Sequence, residues 1–94
     1  MELKEKVIKY IELEEEALKK IKISVPEDSF LIEYARDAMK MIVSYFNDAK
    51  HFHTQNDEIN AFAALNYSYG WIDSLVRLGV FDGDRDHKLF TLYK

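Results

Sequence analysis

Apolar residues recur along this chain at helical spacing in three stretches, separated by two polar breaks. In the first stretch Leu3, Val7, Tyr10, Ile11, Ala17, Leu18 and Ile21 form one stripe, which predicts an amphipathic helix over about residues 1–22. Glu14 interrupts that stripe. The opposite side carries Glu2–Lys6, Glu5–Lys9, Glu15–Lys19 and Glu16–Lys20, four apart in the favourable order, each pair worth ~0.2–0.5 kcal/mol. Such a run reads as a solvated helix face. At the first break Pro26 disfavours helical geometry at Val25. Ser24-Val25-Pro26-Glu27 fits a capping box, with Asp28 or Ser29 as alternative caps. A second helix is predicted over about residues 26–55. Its polar stripe is Glu33, Arg36, Asp37, Lys40, Ser44, Asn47 and His51. Its apolar arc, which includes Tyr34, Met41, Ile42, Tyr45, Phe46 and Phe52, spans about half the circumference, enough to touch two neighbouring helices.

Thr54-Gln55-Asn56-Asp57 is the second break, with Asn56 or Asp57 as the next N-cap. So short a connection makes the flanking helices antiparallel. The third helix is predicted over residues 58–78, stopped by Gly79, with Val80 placed for a Schellman contact. It is apolar nearly all round. One side holds Ala61, Phe62, Leu65, Tyr69, Ile72 and Val76. Another holds Ala64, Tyr67, Trp71, Leu75 and Leu78. Asn66, Gly70, Asp73 and Arg77 form a narrow polar strip between them. The tail, residues 80–94, contains a turn-like Asp82-Gly83-Asp84-Arg85-Asp86 and a short strand-capable run from Leu89 to Tyr93. Together these elements predict one all-α domain over residues 1–94. It is an antiparallel up-and-down three-helix bundle with a left-handed twist and a short C-terminal tail.

A helix in such a bundle needs one apolar face, and the third has two. The side with Tyr67, Trp71, Leu75 and Leu78 therefore needs a cover. The simplest cover is the chain's own tail, with Phe81, Leu89, Phe90 and Leu92 folded back onto it. The alternative is a protein partner or a second copy of the chain, centred on Trp71, since Trp and Tyr are typical anchors. A small-ligand groove is a third. Gly70 costs roughly 1 kcal/mol in mid-helix relative to Ala; close approach of another backbone, or plain tolerance, would account for it.

Composition narrows the function more than it defines it. Ninety-four residues suffice for one core. With no cysteine there is no disulfide scaffold, thiolate zinc site or thiol nucleophile. A net charge of −4 with dispersed basic residues leaves no DNA footprint. No run approaches the ~18 apolar residues of a membrane span, and Met1-Glu2-Leu3-Lys4 opens into a charged helix rather than a signal peptide; the lack of cysteine fits a reducing cytoplasm.

Asp48, His51 and His53 are the one local cluster of ligand-type residues. Asp48 and His51 share a helix edge, but His53 points away toward the apolar side, so no metal site is expected. Asp82-x-Asp84-x-Asp86 resembles the start of a calcium loop. It has His87 where Gly is required and Tyr93 where an acid is required. Asp73 and Arg77, four apart, suit an intrahelical ion pair near Asn66. No phosphate loop, nucleophile elbow or zinc pattern is present. No catalytic residue and no cofactor is expected.

The second and third helices resemble a small, mainly archaeal family, domain of unknown function family 357. The resemblance is carried by Tyr45, Asp48-Ala49, His51-Phe52, Asp57, Ala61, Ala63-Ala64, the fairly specific run Asn66-Tyr67-Ser68-Tyr69-Gly70-Trp71-Ile72-Asp73, Arg77-Leu78-Gly79, Phe81-Asp82 and Leu89-Phe90-Thr91. It is weakest in the first helix. Where the family pattern has Gly before the junction Asp, this chain has Asn56. The resemblance implies a three-helix bundle and a cytoplasmic archaeal protein, with no established activity. The hairpin is also similar in style to helical RNase domains that use Arg-x-x-x-x-His. Here the residues five after Arg36, Arg77 and Arg85 are Met41, Asp82 and Phe90, so that motif is absent.

The sequence leaves the function unknown. It favours a non-enzymatic interaction module that binds a protein partner or itself through Tyr67, Trp71, Leu75 and Leu78. The alternative is a small-ligand or RNA-associated regulatory domain using a polar rim of Asp48, His51, Asn66, Asp73 and Arg77 between the second and third helices.

Overall fold

The computed structural model describes residues 2–90. Helix α1 spans Leu3–Lys20, strand β1 Lys22–Ile23, helix α2 Ile32–Thr54, helix α3 Glu58–Leu78 and strand β2 Phe81–Asp82. The architecture is an all-α three-helix bundle. Val7 clusters with Phe46 and Ala49, while Ala17 and Ile21 cluster with Ala35 and Ala38, so α2 runs antiparallel to α1. Tyr10 stacks on Phe62 and Glu14 meets Ser68, so α1 and α3 run parallel. The molecule measures 43 × 26 × 16 Å.

Two apolar clusters fill the interior. One gathers Val7, Phe46, Ala49, Ala61, Ala64 and Leu65. The other joins Ala17, Ile21, Ala35, Ala38, Ile42, Ile72, Leu75 and Val76 to Val80, Phe81 and Phe90 of the C-terminal segment. Each fully buried Val, Ile, Leu or Phe contributes ~1.5–3 kcal/mol. The many alanines let the helix backbones approach closely.

The ends of α2 and α3 next to the tight turn and the tail follow from local chemistry. At the end of α2 the amide of Asn56 donates to His53 O and that of Asp57 to Phe52 O, with Asn56 at φ 59°. At the end of α3 the amide of Gly79 donates to Val76 O and that of Val80 to Leu75 O, with Gly79 at φ 90°. Both are Schellman ends, one using Asn and the other Gly in the left-handed position. The Asp57 carboxylate caps α3 by accepting from the Asn60 amide at 3.3 Å.

The start of α2 departs from the sequence expectation by about six residues. Ser24 is not its cap. The Ser24 amide donates to Val80 O at 2.9 Å, and its hydroxyl donates to Gly79 O. These bonds extend the antiparallel β1–β2 pair, in which Lys22 faces Asp82 and Ile23 faces Phe81. With Ser24 held there, residues 26–31 form turns instead, and Ser29 Oγ accepts from the Leu31 amide at 3.1 Å. The same pairing ends α1 at Lys20, ahead of the expected residue 22. The end of the expected apolar run, Thr91–Tyr93, lies outside the described residues.

Candidate functional site

Helix α3 packs between its two neighbours, and its two flanks differ in chemistry. On the α1 flank an acid is sealed inside. Glu14, the residue that breaks the first apolar stripe, has no exposed surface, and neither has Ser68 opposite it. Ser68 Oγ lies 2.9 Å from Oε1 and 2.6 Å from Oε2 of Glu14, and 3.2 Å from Leu65 O. One hydroxyl has one proton and cannot serve three acceptors at once. Its shortest contact is with Glu14 Oε2, to which it donates at 2.6 Å. Burial pushes the Glu14 carboxyl up to about 7, with the Ser68 hydrogen bond pulling the other way.

Above this pair, α1, α3 and the C-terminal segment border a cleft of about 370 Å³, lined by Tyr10, Leu13, Leu65, Asn66, Tyr69, Gly70, Asp73, Lys88 and Leu89. Glu14 does not line it. Tyr69 donates its hydroxyl to Leu89 O at 2.6 Å. Burial first, then the charges of Asp73, Glu14 and Asp86, pushes Tyr69 up to about 12, so it stays a donor at physiological pH. Lys20 and Asp86, 2.8 Å apart, tie the same segment to the end of α1.

The α2 flank is open. Tyr34, Trp71, Tyr67 and Tyr45 form a continuous row, with successive ring centroids 6.4, 6.4 and 4.7 Å apart. Tyr34, Tyr45 and Tyr67 remain 46%, 38% and 49% exposed, and Trp71 is half-buried. Beside the row a shallow hollow of about 350 Å³ is bordered by Asn66, Tyr67, Gly70, Trp71 and Ser74.

This placement revises three expectations. The described part of the tail leaves Tyr67 exposed: Leu89 O accepts from Tyr69, Asp86 pairs with Lys20, and Phe81 and Phe90 enter the core cluster that also holds Leu75. Of the four expected surface residues, Tyr67 and Leu78 are exposed and Trp71 is half-exposed. Leu75 is 3% exposed and belongs to the core. It falls on the inward line with Ile72 and Val76, one helical step from Trp71. The polar rim is also not a unit between α2 and α3. Asp73 borders the cleft on the α1 side and Asn66 borders both that cleft and the hollow beside the aromatic row, whereas Asp48, His51 and Arg77 are exposed elsewhere.

His53 turns to Glu58, with Nδ1 2.9 Å from Oε1. Among the described residues no group of three His, Cys, Asp or Glu could hold a metal ion. None of the described helices is long and apolar enough to cross a membrane. Sequence reasoning missed the Glu14–Ser68 pair, although an acid inside an apolar stripe was its signal. It also placed Tyr34 and Tyr45 on the apolar arc without their partners across α3.

The fold and these two flanks define a small helical-bundle protein with a sealed polar pair and an exposed aromatic row. The chain belongs to the family described as protein of unknown function (DUF357), whose sequence model matches residues 9–81. That span includes Glu14, Ser68 and all four rings of the row. Comparison with curated proteins and with solved structures found no match.

Proposed function

We propose that this protein is a non-enzymatic interaction module that binds a protein partner through the α2–α3 face. The observation that carries the reading is the aromatic row. Three tyrosines and a tryptophan stay partly in water on one face, while Phe46, Phe81 and Phe90 are buried. Tyrosine and tryptophan suit this role, since each offers a large rigid apolar surface with a polar handle. A cytoplasmic location fits the reading, given the cysteine-free composition.

The test is affinity capture with the tagged protein in wild-type form, as Tyr67→Asp and as Glu5→Ala. Glu5 lies on the solvated side of α1. A chain retained by wild type and by Glu5→Ala but lost with Tyr67→Asp, with helical circular dichroism unchanged, is the expected result. Capture that ignores Tyr67→Asp, or no capture of any chain including the protein itself, would overturn the reading.

A further inference from the structure

We propose that the occupant of the α2–α3 face is a second copy of this chain, docked about a twofold axis that crosses α3 between Tyr67 and Gly70. This rests on the reading of that face as an interaction surface and names its partner.

The first argument is self-complementarity. The face carries a projecting ring, Tyr67, and directly beside it the hollow at Gly70 and Ser74. Tyr67 and Gly70 are three positions apart, about 4.5 Å along the helix. A twofold axis between them sets each Tyr67 over the other copy's hollow. That reciprocal fit is what an isologous interface requires. An unrelated partner would need only the ring or only the hollow.

The second argument is Gly70 itself. A Cβ built there meets nothing within 4 Å, so no contact inside the chain calls for glycine. Glycine is unfavourable in mid-helix. A helix from the second copy crossing at this point gives the missing Cβ a purpose, since it lets the two backbones approach.

Area and charge are compatible with the same arrangement. Helices α2 and α3 have 23 and 21 residues, so each is about 30 Å long and 10–12 Å across. Side by side they span roughly 600–700 Å² in projection. Side-chain relief brings the accessible area near the ~800 Å² that one partner contributes to a standard interface. An antiparallel crossing centred between Tyr67 and Gly70 sets Asp73 opposite Ala64, Ser74 opposite Ala63 and Arg77 opposite Asn60. Along α3 no like charges meet.

The experiment is sedimentation equilibrium of the full chain from micromolar to millimolar concentration, on wild type, Tyr67→Ser and Gly70→Leu. Gly70→Leu is the discriminating variant, because leucine fills the hollow while relieving the helix of a glycine. Wild type is expected to reach twice the chain mass. Gly70→Leu is expected to stay at the single-chain mass with undiminished helix signal and a higher Tm, and Tyr67→Ser to weaken association at least tenfold. A wild type that stays monomeric throughout would overturn the proposal. So would a Gly70→Leu protein that associates as wild type does. A monomeric wild type that still captures another chain through Tyr67 would sink the homodimer alone and leave the interaction reading standing.

Discussion

The two flanks of α3 handle the same problem in opposite ways. Toward α1, a polar pair is buried beneath a cleft that the C-terminal segment borders. Toward α2, apolar rings are left in water. A buried acid is unfavourable for stability unless protonated or paired. Exposed aromatic area is unfavourable for solubility, and a contiguous patch of it marks an interaction face. One flank therefore hides its polar groups among packed helices, and the other leaves apolar rings on the surface.

The contrast is open to direct attack. The largest effect is expected at the seam that seals the α1 side. Phe81→Ala removes a fully buried ring joined to Ile72, Leu75 and Phe90 and should cost about 3–5 kcal/mol in urea unfolding. A loss below about 1 kcal/mol, the size of an ordinary surface change, would mean that the tail merely lies on the bundle.

Next comes Glu14. Its carboxyl lies at about 7 in the folded chain against 4.5 for the free group. Between those values the folded state holds a proton that the unfolded state has released. Stability therefore falls as pH rises: the contribution is complete below about pH 4.5 and exhausted above about pH 7. At about 1.4 kcal/mol per unit this amounts to roughly 3 kcal/mol. Asp86, held low chiefly by its hydrogen bond from Lys20, works in the other direction as pH falls. The informative quantity is thus the wild-type curve minus that of Glu14→Gln. A flat difference across pH 4.5–7 would show that the acid is ionised and paired rather than sealed and neutral.

Gly83→Ala probes the same seam more gently. An added Cβ would meet the Phe90 ring at 2.6 Å, so a cost of about 1–3 kcal/mol is expected. The open flank should give smaller and different responses. Gly70→Ala meets no neighbour and should stabilise the single chain by about 1 kcal/mol. Tyr67→Ser loses ring contacts with Tyr45 and Trp71 and should cost about 1–2 kcal/mol in thermal unfolding. A greater loss would place Tyr67 in the core and erase the contrast between the flanks.

Much of this was readable from the residues, though unevenly. Asp57 as N-cap, Gly79 as C-cap and Val80 as its Schellman partner sit where the pattern puts them, because each acts within five positions of its own helix end. The all-round apolarity of α3 announced that it would have neighbours on both sides. The aromatic face was half legible: Tyr67 and Trp71 stood out, but Leu75, on the same wheel sector, turned out to be core. The polar rim was not legible, since Asp73 borders the cleft beside α1 while Asp48 and His51 border neither that cleft nor the hollow beside the aromatic row.

By itself, the sequence determined three helices, the chemistry of the α2–α3 turn and the stop at Gly79, and the surplus of apolar surface on α3. Each is set by periodicity or capping among residues a few positions apart, where backbone geometry leaves few choices. Only the tertiary structure decided that Ser24 bonds to Gly79 and Val80, that Glu14 is closed against Ser68, and that the described part of the tail ties to Lys20 and Tyr69 while Tyr34, Tyr45 and Tyr67 stay in water. Ser24 and Gly79 are 55 positions apart, and Glu14 and Ser68 are 54 apart. Pairings at that distance are selected by how whole helices pack, and no local pattern encodes them.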